Sequence, residues 1–155
     1  MIQRIQTVYL LIAALLTGML CVVPLAHGIT SDAVSCSVSI WGFVAPTPTP
    51  DSYSGSWLNL AAGFGSIITA LLAFVTIFLY KRRILQKKLC HILLVLLILL
   101  CAALVVYLVR TAALFEGFNL SVICIFPVIA IILVILARRG IIRDEKLVRS
   151  LDRIR

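Results

Sequence analysis

The residues that could do chemistry are few and widely spaced. Five cysteines stand at 21, 36, 90, 101 and 124, and two histidines at 27 and 91. A zinc site or a redox dithiol needs such residues in closely spaced pairs, and neither Cys-x-x-Cys nor a Cys/His finger spacing occurs. Four of the cysteines fall inside apolar runs, where a cysteine serves as a small buried hydrophobe. There is no His-Glu-x-x-His, no Gly-x-Ser-x-Gly and no pair of carboxylates set for acid–base work. "GFGS" at 63–66 has the glycines of a phosphate loop but no following Lys, and it lies in an apolar helix. Helix packing is its better reading. The sequence therefore gives no catalytic residue, and no cofactor or metal is expected.

The charged chemistry is concentrated at the C-terminus, in "RDEKLVRSLDRIR" from Arg143 to Arg155. At about 100° per residue, Leu147, Val148, Leu151 and Ile154 gather on one face, a docking face. Lys146, Arg149 and Arg153 gather almost opposite, and Arg143 lies near the boundary between the two. A helix this short is marginal in water, so its apolar face must dock on a surface. The inner leaflet and the underside of the protein near "KRRILQKK" are both candidates. The basic face then points to the cytoplasm, open to an acidic protein partner or simply solvated.

The elements that hold these features are dictated by apolar length. Of 155 residues, 63% are hydrophobic and 13% charged, against about 25% charged in a soluble domain. A hydrocarbon core about 30 Å thick needs about 20 residues of helix. Four stretches without Asp, Glu, Lys or Arg meet that length, at 8–26, 58–80, 89–109 and 118–137. Gly140 follows Arg138 and Arg139 as an expected stop, after which a separate tail helix covers 141–155. The net charge of +8 is not a nucleic-acid signal, because the cations flank the spans. Thirteen of the 14 Lys and Arg residues fall at the N-terminus, in 81–88 or after Ala137, so both termini are expected in the cytoplasm. A signal peptide is the alternative reading of the first span. Its apolar run is longer than the usual signal core, and its start has a single cation, Arg4.

The outer loop at 27–57 contains "VSCSVSI", a strict alternation with Val34, Cys36, Val38 and Ile40 on one face. That period is a strand signal, and a lone strand needs a partner in a hairpin or in a second copy. Cys36 is a candidate for an intermolecular disulfide, against its alternative as a small residue filling the strand's inner face. "PTPTP" at 46–50 reads as a stiff spacer and "DSYSGS" as a turn. In the shorter outer loop at 110–117, Arg110 and Glu116 are placed for an ion pair. Asn119, just beyond it, is expected to cap the fourth span. Pro24 and Pro127 fall inside or at the edge of spans one and four, where a proline can kink a helix; the better reading is that neighbours or water satisfy the freed carbonyls.

Both ends carry specific patterns. "MIQRIQTVYLL" and "RDEKLVRSLDRIR" resemble the terminal signatures of a bacterial membrane-protein family with four predicted helices and a domain-of-unknown-function label. The resemblance covers essentially the whole chain. It implies an inner-membrane location, no assigned reaction, and Arg4 with Arg143 to Arg155 as recurrent features.

The expected fold is an all-α membrane protein. It has four transmembrane helices in a bundle, both termini inside, an outer loop suited to a β-hairpin, and a cytoplasmic amphipathic tail. The chain 1–155 forms one integral unit. The expected role is an accessory or scaffold subunit whose partners are the lipid bilayer, a protein at the tail, and further copies of itself. The alternative is a small transporter or lipid-handling oligomer with Ser66, Thr69 and Thr76 along its pathway.

Overall fold

Several small residues are buried between the helices while many large apolar ones face outward. Ala13, Ala62, Ala73, Ala130 and Ala137 are buried, whereas Leu15, Phe64, Leu71 and Leu99 are exposed. A water-soluble protein would not leave so many large apolar side chains exposed. In lipid, small side chains let helix backbones approach while large apolar ones meet the acyl chains. The computed structural model describes residues 3–29, 35–44, 57–79, 83–115 and 117–152. Four helices dominate them: α1 (Gln3–Met19), α2 (Trp57–Phe78), α3 (Arg83–Ala112) and α4 (Phe126–Asp152). They pack in cyclic order, with α1 against α2 and α4, and α3 against α2 and α4.

Three helical segments are long and apolar enough to cross a membrane: Trp57–Phe78, Leu85–Ala112 and Val122–Asp144. The apolar part of α1, Ile5–Met19, is shorter. The span expected to run to Ala26 stops as a helix at Met19 because the chain turns there. The amides of Cys21 and Val22 close tight turns on Gly18 and Met19, and Pro24 follows. Proline has no amide to continue the ladder, so the helix does not resume beyond this turn. Pro127 makes no kink. It occupies the first turn of α4, where its missing N–H costs nothing.

The fold is mostly helical, and its small sheet is larger than the expected hairpin. Strands β1 (Ala26–Ile29), β2 (Ser35–Ser39), β3 (Gly42–Val44) and β4 (Gly117–Leu120) form one antiparallel sheet in the order β3-β2-β1-β4. The expected hairpin is β2–β3. Its short turn uses Gly42 at φ 142°, a conformation open to glycine and strained for other residues. The two further strands come from segments read as span ends or loop. Asn119, expected as a helix cap, instead pairs with His27 across β1 and β4. A short 3₁₀ turn, Val122–Ile125, then leads into α4.

Two apolar cores stack along the helices. One surrounds Leu10, Cys90, Leu93, Val134 and Ile141. The other joins the sheet's inner face, Ala26, Val38 and Ile40, to Leu20, Leu25, Ala62, Leu100 and Leu104.

Gly140 does not stop α4, which runs unbroken to Asp152. A Cβ built at Gly140 would lie 2.9 Å from Gln6 Cγ. The glycine therefore permits close approach of α1 rather than capping a helix. No separate tail helix begins at 141, and Ile141 belongs to the core at 2% exposure.

Candidate functional site

The tail residues expected to bind a partner are continuous with the fourth helix. Arg143 is exposed on α4. The backbone remains helical through Lys146, Leu147, Val148, Arg149 and Leu151. The side chains of those five residues, together with Arg153 and Ile154, lie outside the described residues, as do "PTPTP", "DSYSGS" and Glu116. Asp144 sits inside α4 and accepts a hydrogen bond from Gln6 Nε2.

At the opposite end, the sheet is pinned onto the helices by two aromatic residues. Trp41, in the hairpin turn, donates from Nε1 to the Cys21 carbonyl at 2.9 Å. Its ring covers Gly63 so closely that a Cβ there would stand 2.6 Å from Cζ3. It also meets Phe64 edge-on at 5.9 Å. Tyr107 on α3 donates to the Ser39 carbonyl at 2.9 Å. Cys36 is buried at 3% exposure on the inner face of β2, so a bond to another copy requires that face to open. The ring of Phe115, just before β4, covers Gly28, whose partners in the neighbouring strands are Cys36 and Phe118.

Between the ends, the helix hydroxyls are spent on their own backbones. Thr69 donates to the Gly65 carbonyl, Thr76 to Leu72, Ser66 to Gly63 and Thr17 to Ala13. Ser66, Thr69 and Thr76 are each at most 1% exposed, which places them in packed helix seams. Ser66 Oγ on α2 and Cys21 Sγ in the turn after α1 also share a hydrogen bond at 3.0 Å. Among the described residues, Asn59 Oδ1 is the buried side-chain oxygen left without a partner. No three His, Cys, Asp or Glu among the described residues gather as metal ligands.

A concavity with cationic and apolar walls lies at the end away from the sheet. Lys87, Lys88 and His91 on α3 face Arg138 on α4 across a cleft of about 610 Å³, with Ile92 and Ile142 completing its walls. Its size falls within the roughly 300–1,000 Å³ of small-molecule sites. Three permanent cations and an imidazole give it a strongly positive interior, suited to an anion. Sequence reading missed this site, although every residue in it was visible. Lys87, Lys88 and Arg138 count there as topology signals, and His91 as one of two widely spaced histidines. The usable signal is the helical spacing Lys88–Ile92, which sets a cation one turn below an apolar residue on one face.

No curated protein and no solved structure matches the chain. A family does match, over residues 2–154. The match spans the helices, the sheet and the basic end alike, and the chain belongs to the family described as domain of unknown function DUF4293.

Proposed function

We propose that the chain is a four-span protein of the bacterial inner membrane, with both termini in the cytoplasm. In this reading α1 spans together with its turn to Pro24, and the basic end of the molecule faces the cytoplasm. The protein works by binding, as an accessory or scaffold subunit, rather than by catalysis. The observation that carries this reading is the dry interior. The hydroxyls between the helices donate to their own backbones, while Lys87, Lys88, Arg138 and Asp144 lie at the end away from the sheet. A pathway along Ser66, Thr69 and Thr76 finds no support in their burial.

The test is a mild-detergent pull-down of the intact chain and of a chain ending at Glu145. Truncation there keeps Ile141 in the core and leaves the Gln6–Asp144 contact intact. A stoichiometric protein partner retained by the intact chain and lost on truncation is the expected result. Recovery of no partner by either form would overturn the scaffold reading. A cysteine placed at Lys88 should react with a membrane-impermeant thiol reagent only after the inner face is opened. Labelling from outside intact cells would reverse the orientation.

A further inference from the structure

We propose that the α3–α4 cleft binds the phosphate headgroup of an anionic phospholipid, with an acyl chain laid along α3. The inference rests on the membrane placement above, and it adds a defined ligand site to it.

Charge selects the head. Lys87, Lys88 and Arg138 converge on the cleft with His91 beside them. Four N–H-bearing side chains from two helices can surround a phosphate from several directions. Arg138 offers the planar fork that matches phosphate oxygens in pairs, and Lys88, exposed at the cleft, acts as a mobile point charge. A zwitterionic headgroup brings its own cation and gains little from such a ring. Basic pockets between helices at the cytoplasmic boundary are suited to this class of ligand.

The wall above the cleft selects a lipid over free phosphate. Lys88, Ile92, Val95 and Leu99 follow one another at spacings of four, three and four residues, and therefore share one face of α3. All four are exposed, with Ile92, Val95 and Leu99 at 48%, 46% and 63%. The face thus changes from cationic to apolar within one turn and remains apolar. From Lys88 to Leu99 the helix rises about 16 Å, about half of a 30 Å hydrocarbon core. This is the depth of one leaflet, so a headgroup at Lys88 places its acyl chain along Ile92 to Leu99. A soluble phosphate would use the cations alone and leave that stripe unused.

The test uses the full chain purified in detergent, with bound lipid counted by native mass spectrometry. The probes are dioleoyl phosphatidylglycerol and dioleoyl phosphatidylcholine, which share acyl chains and differ in head charge. Phosphatidylglycerol should bind in a one-to-one complex well above phosphatidylcholine. The double variant Lys88→Gln/Arg138→Gln should weaken it about thirtyfold, the effect expected from two cations at the strength basic residues have beside an anionic leaflet. Arg139→Gln, an exposed cation outside the cleft, should leave binding unchanged. Lys88→Arg/Arg138→Lys should retain it, which separates charge loss from misfolding. Equal binding of the two lipids, or undiminished binding by the charge-removed variant, would overturn the proposal. So would displacement of the lipid by millimolar inorganic phosphate, since the ligand would then be a soluble anion. Because this readout needs no protein partner and no sidedness, its failure is distinct from failure of the scaffold reading.

Discussion

Gln6 and Asp144, 138 positions apart in the chain, are joined by a hydrogen bond from Gln6 Nε2 to Asp144 Oδ2. Gln6 is buried at 6% exposure, and its aliphatic stem lies against Gly140 one turn earlier on α4. The N-terminal helix and the start of the charged tail are therefore one packed unit. Membrane helices gain little from excluding water between them, so a close approach with a satisfied polar group is the sort of contact that holds them.

Gly140→Leu tests that seam directly. Even a Cβ would fall 2.9 Å from Gln6 Cγ, so the larger side chain must push α1 away or displace Gln6. The expected destabilisation is about 1–3 kcal/mol, in the range for overpacked sites. It is read as a lower midpoint in thermal unfolding in detergent. Adding Gln6→Ala to Gly140→Leu should recover part of the loss, because the shortened residue vacates the space. A midpoint equal to that of the unsubstituted chain would show that the seam is looser than described.

Trp41 and Gly63 make the equivalent contact at the sheet end, with less room to adjust. The indole is held by its hydrogen bond to the Cys21 carbonyl at 2.9 Å, so it cannot tilt away from a new methyl without losing that bond. Gly63→Ala should cost about 1–3 kcal/mol and change the emission of Trp41, with Trp57→Phe as background to remove the other indole. Trp41→Ala and Gly63→Ala together should cost less than the sum of the two alone. Additive losses would mean that the two residues do not press on each other.

Tyr107→Phe removes one hydroxyl and nothing else. The lost bond to the Ser39 carbonyl should cost about 0.5–1.5 kcal/mol. It should also raise hydrogen exchange in β2 and β3 more than in the helices, because this bond ties the hairpin to α3. Exchange that rises uniformly would argue that the hairpin is held by other contacts.

Sequence legibility followed the range of the interactions. Long apolar runs announced α2, α3 and most of α4 because any helix that length needs only its own backbone bonds. β1 and β4 were illegible for the opposite reason. "AHGI" and "GFNL" are four residues each, too short for a periodic signal, and their partners lie across loops and a helix pair. Gly140 misled because a glycine after two arginines is a sound helix stop locally, and only the distant Gln6 gives it another use. The basic cleft was hidden similarly. Lys88 and Arg138 each serve as a local topology signal, and only the packing of α3 against α4 brings them to one cavity. By contrast, the alternation of "SCSVS" was readable, since a strand's two faces are fixed by period alone.

That alternation supplies the last prediction, on Cys36. It faces inward in β2 at 3% exposure, paired across to Gly28, whereas Ser35 one position earlier is exposed. A shift of one residue along a strand moves a side chain to the other face of the sheet. Native protein should therefore protect Cys36 from a water-soluble maleimide, while denaturation exposes it. Ser35→Cys should react quickly in the native state. Against a background lacking the other four cysteines, mild oxidation should leave the Cys36 chain monomeric on a non-reducing gel. A disulfide-linked dimer through Cys36 at the rate seen for Ser35→Cys would mean that the sheet opens readily. It would also restore the cross-linking role for this residue and make the sheet end an interface between copies.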